Sequence, residues 1–177
     1  MVKTYFIKGI VKELCAYLIT WVTYNSRISE RMVRYGVRTG EPFILSDDDR
    51  AFIAERLNMK IAEEGVRVLA LNVLRDHVHV VLACAEDDLT EIVRKLKGFT
   101  SLELGRQLKL SVEDGGRQHR VWAHGFSHTF LDSDEHFAHA VEYTMSNHFK
   151  HEVTPLNSAL QRAALVDVEA SFEGSSN

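Results

Sequence analysis

Leu74-Arg-Asp-His-Val-His-Val-Val-Leu-Ala83 is the stretch that decides how this chain is read. Side chains on a β-strand alternate between its faces, so residues two apart point the same way. His77 and His79 therefore share one face, and Val78, Val80 and Leu82 take the other, toward a core. Two imidazoles side by side on a rigid strand can grip one metal ion, and neutral imidazole suits manganese, iron, nickel, copper or zinc. A bare His-x-His is more often two polar residues on the outward face of an ordinary strand. A functional reading needs a second site elsewhere in the chain.

Moving outward, Val66–Val73 is a strand that runs almost directly into the histidine strand. Arg75-Asp76 lacks the glycine that two-residue hairpins favour, yet a tight antiparallel connection is the simplest geometry. Cys15–Thr23, β-branched and aromatic with both faces apolar, reads as a central first strand. Between it and the first helix, Asn25–Pro42 is a long connection with four arginines, Arg27, Arg31, Arg34 and Arg38. Ser46, followed by Asp47, Asp48 and Asp49, opens that helix; Phe52, Ile53, Leu57 and Ile61 recur at helical spacing, and Gly65 stops it.

Downstream, Asp88–Lys97 is an amphipathic helix with Leu89, Ile92, Val93 and Leu96 as its apolar stripe. Gly98 is expected to interrupt it, with Thr100 or Ser101 capping a second short helix through Leu108. Basic residues here offer charge to phosphates, although an isolated charge run is more often a solvated face. Residues 111–120 read as a loop, and Val121–Leu131 as the last strand, with Gly125 marking a bulge. Asp132 or Ser133 caps a helix over Asp134–His148. The resulting division is a domain over residues 1–153 and a tail over 154–177, partly helical or frayed.

The 177 residues, 45% hydrophobic and 26% charged, suit one domain with a sizeable core. A net charge of −4, from 21 basic and 25 acidic residues, argues against nonspecific coating of nucleic acid. No apolar run is long enough to span a bilayer, and the first residues lack a signal peptide's apolar core. Cys15 and Cys84 sit in apolar runs and fit buried free thiols in a reducing cytoplasm, so the chain is read as cytoplasmic, with no membrane partner.

The second site is on the Asp134–His148 helix. Tyr143 and Asn147 are four apart and share a face, with His136 and His139 on or near the same stripe. An ordinary half-exposed helix has the same appearance, and periodicity does not choose between them.

Five features, in order along residues 15–153, do choose: the Tyr17–Thr23 strand; Leu74-Arg-Asp-His-Val-His-Val-Val-Leu82; Ile92-Val-Arg-Lys-Leu-Lys-Gly-Phe-Thr-Ser101; Val121-Trp122; and Tyr143-Thr-Met-Ser-Asn-His-Phe-Lys-His151. With these the chain resembles the HUH single-tyrosine transposases, especially those associated with repetitive extragenic palindromes. It departs from their pattern at Arg75-Asp76, where Pro-Asn or Pro-Asp is usual, and at His148, where proline is usual.

The resemblance implies an α+β fold: a ferredoxin-like antiparallel sheet of four or five strands, with helices packed against one side and the tyrosine helix across the histidine face. It implies that His77, His79 and the Asn147 side-chain oxygen hold one divalent ion, Mg2+ or Mn2+, and that Tyr143 attacks a phosphodiester to leave a 5′-phosphotyrosine. His139 and His136 are the candidate proton acceptors. The implied substrate is single-stranded, hairpin-forming DNA, with Lys95, Lys97, Arg106 and Lys109 as candidate phosphate contacts and the Arg27–Arg38 loop as a second. Relatives are monomers or homodimers, and a dimer can set Tyr143 against its partner's histidines. Two other readings stand beside this one. One is a domesticated protein that binds DNA hairpins without cleaving them. The other is a metal-dependent hydrolase using His77 and His79 with His136 or His139, indifferent to Tyr143.

Overall fold

The computed structural model describes residues 3–7, 10–27, 33–36, 40–110 and 120–156, with side chains from Leu14 onward. Five strands and three helices follow one another: β1 (Lys3–Ile7), β2 (Ile10–Val22), α1 (Asp47–Glu64), β3 (Arg67–Val73), β4 (His77–Cys84), α2 (Glu86–Gln107), β5 (Ser127–Phe130) and α3 (Asp134–Lys150). β2 pairs with β4 on one edge and β5 on the other, and β4 pairs in turn with β3, every pairing antiparallel. The order β5–β2–β4–β3, with α1 linking β2 to β3 and α2 linking β4 to β5, is the ferredoxin-like arrangement of two interlocked β-α-β units. β1, an element without a counterpart in the sequence reading, adds an N-terminal hairpin on the first part of β2, from Lys3↔Leu14 to Ile7↔Ile10.

The alternation along the strands builds two cores. Tyr17, Ile19 and Trp21 of β2 join Val78, Val80 and Leu82 of β4 beneath Ile53, Leu57 and Ile61 of α1 and Leu89, Val93, Leu96 and Leu104 of α2. On the other face, Leu18 and Val81 meet Ala140, Phe137, Val141 and Met145 of α3. Helices thus cover both faces, which corrects the expectation that they pack on one side. α3 is an addition to the two-helix layer, and its apolar stripe needs its own sheet face.

The start and stop of α1 follow its sequence. Ser46 and Asp49 form a reciprocal capping box, and Gly65 closes the helix in the left-handed conformation at φ 64°. The expected break at Gly98 does not occur, and α2 runs through it without interruption. The Thr100 hydroxyl turns back to the Leu96 carbonyl, 2.8 Å away, so it joins the helix instead of capping a new one. The buried row Leu89, Val93, Leu96, Thr100 and Leu104 outweighs the cost of about 1 kcal/mol for a helical glycine.

The last strand is also shorter than its aromatic pattern suggests. Val121 and Trp122 are core residues, joined to the sheet by a single bridge, Thr23↔Trp122. Trp122 Nε1 donates to Thr100 Oγ1, and Gly125 makes a turn at φ 81°. The Lys97 ammonium donates to the carbonyls of Ala123 and Gly125, which leaves only Ser127–Phe130 to pair with β2. Residues 111–119, expected as a loop, lie outside the described residues, as do 157–177 and much of the arginine-rich connection.

After α3 the chain crosses to the other side of the sheet. Val153 is buried, and Leu156 is buried in the α1/α2 core. Buried Arg50 fixes this crossing: Nε donates to the Val73 carbonyl at 2.9 Å, Nη2 to the Thr154 carbonyl at 2.9 Å, and Nη1 to Asp47 at 2.8 Å.

Candidate active site

His77 and His79 stand on the α3 face of β4, as the period of two requires, and their ring centroids are 4.7 Å apart. Both are buried. Each has one ring nitrogen already engaged. Nδ1 of His77 lies 2.5 Å from the Asp76 carboxylate, and Nδ1 of His79 lies 2.7 Å from Thr20 Oγ1. Thr20 is the cross-strand partner of His79 on β2, so the sheet register delivers this contact. The Nε2 atom of His79 is buried without a partner among the described residues.

Burial, and then the neighbouring charges of His77, Arg27 and His151, push the His79 imidazole down to about 3, so it is neutral at ordinary pH. The Asp76 carboxyl is held below its usual range, first by the hydrogen bond to His77. Both histidines thus have one ring nitrogen held and oriented by an outer group.

α3 brings the second set of residues. Ser133 caps it by accepting from the His136 amide. The Tyr143 ring lies 5.1 Å from the His79 ring, edge to face. Asn147, one turn on, is fully buried, and both its Oδ1 and Nδ2 lack partners among the described residues. Thr144 Oγ1 and Asn72 Oδ1 are likewise buried and unpaired. Asn72 is the cross-strand partner of His79 on β3, and its Nδ2 donates to the Thr144 carbonyl at 2.8 Å. That bond ties the tyrosine helix to the strand beside the histidines. Most buried polar groups are satisfied, so this run of orphaned atoms at one place marks a site built to receive something polar.

Two further residues join the cluster. The His151 ring, just past α3, lies 4.8 Å from that of His77, and the Lys150 ammonium lies 4.6 Å from the centroid of the Tyr143 ring. Burial, and then the neighbouring His77, lower the His151 imidazole.

The other expected residues lie elsewhere. His136 is exposed and turned to Asp132, 2.7 Å away, at the far end of α3. His139 is exposed one turn before Tyr143. Lys95, Lys97 and Arg106 belong to α2, on the opposite face of the sheet from the histidines, and Lys109 follows that helix. Lys95 is paired with Glu64 at 2.6 Å, Arg106 with Glu103 at 2.9 Å, and Lys97 with the turn carbonyls described above. Of the Arg27–Arg38 loop, Arg27 is placed where its charge bears on Asp76, His79 and His151.

Sequence reasoning missed Thr20, Asn72, Asp76, His151 and Lys150. Only Thr20 carried a signal, as a hydroxyl on the histidine-side face of an otherwise apolar strand.

The residue set fits a divalent ion. His77 and His79 both have Nδ1 engaged, and His79 Nε2 and the Asn147 amide oxygen are buried without partners among the described residues. Among the described residues no three His, Cys, Asp or Glu side chains form a group that could hold a metal ion, so a third donor beside the two imidazoles would have to be of another type, such as the Asn147 amide oxygen.

Comparisons with known proteins agree with this architecture. No curated protein matches the chain. Two solved structures share the fold. One is a REP-associated tyrosine transposase bound to a REP hairpin, 18% identical, with a TM-score of 0.50, covering 84% of this chain and 72% of the other. The second is a Deinococcus radiodurans protein described as a transposase, 18% identical, with a TM-score of 0.52, covering 81% of this chain and 96% of the other. The IS200-like transposase family matches residues 39–147, from the end of the arginine-rich connection through both histidines, Tyr143 and Asn147. With more than half its length matched, the chain belongs to the IS200-like transposase family.

Proposed function

We propose that the protein nicks single-stranded DNA and transfers the strand through a 5′-phosphotyrosine on Tyr143. One observation carries this reading: the Tyr143 ring lies 5.1 Å from the His79 ring, and the His79 Nε2 and, one turn on from Tyr143 along α3, the Asn147 Oδ1 atoms are buried without a partner among the described residues. A pure hairpin binder has no use for that combination. A small-molecule hydrolase would have no use for the tyrosine.

In this reading His77, His79 and Asn147 hold a divalent ion, which when bound supplies Lewis-acid polarisation of a non-bridging phosphate oxygen. The chain's own residues do the rest. Asp76 and Thr20 fix the histidine rings, and the Asn72–Thr144 bond holds α3 against β3 so that Tyr143 is presented at a set distance. The Tyr143 oxygen attacks phosphorus in line and forms the Tyr–O–P bond. The P–O3′ bond breaks, and the departing strand leaves as a 3′-hydroxyl after taking a proton. The phenolic proton passes to solvent or to His139, which lies one turn away on the same helix. Because one phosphodiester replaces another, the bond energy is kept for rejoining.

The proposed substrate is a DNA hairpin with a single-stranded flank; the similar REP-associated structure is bound to a REP hairpin. Lys95, Lys97, Arg106 and Lys109 belong to the same proposal as contacts to the outer DNA. To serve, Lys95 and Lys97 must exchange Glu64 and the turn carbonyls for phosphate. An unchanged salt dependence of binding in a Lys95→Ala, Lys97→Ala double variant would place those contacts elsewhere.

The test is incubation with a pool of end-labelled single-stranded hairpins and Mn2+, followed by denaturing electrophoresis. A labelled band at protein mass, absent in Tyr143→Phe, is the expected result. Hairpins that shift in a native gel without any adduct would favour the binding protein. Activity on a small phosphoester that persists in Tyr143→Phe would favour the hydrolase.

A further inference from the structure

The charge around the site departs from the acidic balance of the whole chain. On α1 and α2 several cations are held by carboxylates, Lys60 by Glu63 and Glu64, Lys95 by Glu64, Arg94 by Glu91 and Arg106 by Glu103, and Lys97 is held by the Ala123 and Gly125 carbonyls. Lys150 and Arg27 differ. Neither has an ion pair among the described residues, both are exposed, and both approach the histidine–tyrosine cluster. Lys150 comes from the last turn of α3 and sets its ammonium against the Tyr143 ring. Arg27 comes from the turn after β2, whose backbone is held to the histidine loop by Thr23 N–H donating to the Asp76 carbonyl at 2.8 Å. Ser26, next to Arg27, likewise donates its hydroxyl to the Asp76 carbonyl at 3.3 Å.

Two cations without carboxylates, beside a hydroxyl nucleophile and a set of neutral donors, form an incomplete electrostatic arrangement. An anion that enters beside them meets two cations that have no ion pair among the described residues, with Asp76, the nearby carboxylate, turned to His77. A phosphodiester is the anion that the neighbouring tyrosine would attack. We propose that Lys150 and Arg27 form a seat for the DNA backbone at this site, Lys150 at the scissile phosphate and Arg27 at its neighbour. Lys150 contacts the phosphoryl group as Tyr143 joins it, and Arg27 holds the adjoining phosphate of the bound strand. This rests on the nuclease reading above and adds to it the residues that receive the substrate's charge.

The two cations then have separable effects. Lys150 lies at the nucleophile, so its charge matters most as negative charge shifts during transfer. Arg27 enters from a different element and contributes to strand binding before any chemistry, as one phosphate contact among several.

The experiment uses the full-length protein and the hairpin from the pool that gives the strongest adduct. Binding is read by fluorescence anisotropy without added metal across a salt series. Transfer is read as the single-turnover rate of adduct formation at saturating DNA with Mn2+. Lys150→Gln is expected to slow transfer by about 10- to 100-fold with little change in Kd. Lys150→Arg should recover most of the rate. Arg27→Gln is expected to weaken binding and reduce the salt slope by about one. Thermal melting of each variant separates these effects from loss of fold. Wild-type adduct with an unchanged rate in Lys150→Gln overturns the role of Lys150 alone. An unchanged salt slope in Arg27→Gln overturns that of Arg27. If the wild type forms no adduct with any hairpin, the nuclease reading falls and the seat falls with it.

Discussion

The Asp76 carboxylate lies 2.5 Å from Nδ1 of His77, so the residue that turns the chain into β4 also orients the first imidazole of the site. Thr20 does the same for His79 from the neighbouring strand. Outer groups of this kind typically account for about 10- to 100-fold in metal affinity. Asp76→Asn and Thr20→Val are each expected to weaken Mn2+ binding within that range, measured by titration calorimetry on the metal-free protein. Affinity unchanged in both would mean that the ring nitrogens facing the site are not the donors.

The donor set also has a preference. Mg2+ favours all-oxygen surroundings, whereas Mn2+ accepts imidazole more readily. Adduct formation should be abolished by chelation and restored better by Mn2+ than by Mg2+ at matched concentrations. Equal or greater turnover in Mg2+ would count against two imidazoles in the first coordination sphere.

Gly98 lies on an exposed face of α2, and a β-carbon built there meets nothing within 4 Å. Gly98→Ala should therefore stabilise the protein by about 0.5–1 kcal/mol, the usual gain for removing a helical glycine. Chemical denaturation measures this directly. A destabilised variant would mean that the helix bends or breaks there in solution.

Arg50 bridges three elements from a fully buried position. Arg50→Met keeps much of the volume but strands the Val73 and Thr154 carbonyls, at about 1–3 kcal/mol for each left unsatisfied. Expected results are a lower denaturation midpoint and faster proteolysis after α3. A midpoint equal to wild type would show that the crossing is held by Leu156 alone.

The parts legible in the sequence were those with a clear period or a local cap. Strand alternation put His77 and His79 on one face and Val78, Val80 and Leu82 on the other, and the structure keeps that division. Ser46 and Gly65 bounded α1, and Tyr143 and Asn147 share a face of α3, as their spacing requires. Thr20 and Asn72 escaped notice because they reach His79 only through strand register, which is fixed by the whole sheet. His151 and Lys150 lie where the helix ends, and no periodicity predicts where the chain turns next. Gly98 and the Val121–Phe126 segment misled for a related reason. Local propensity favoured a break and a long strand, and tertiary contacts among Lys97, Thr100 and Trp122 decided otherwise.

The crossing after α3 carries one more consequence. Asn72 holds the middle of the helix, and Arg50 and Leu156 hold the chain that leaves it, all within one polypeptide. For α3 to be traded with a second copy, Leu156 would have to leave its core and Arg50 would lose the Thr154 carbonyl. Within this chain Tyr143 and the histidines are therefore held together at an effective concentration set by a short leash.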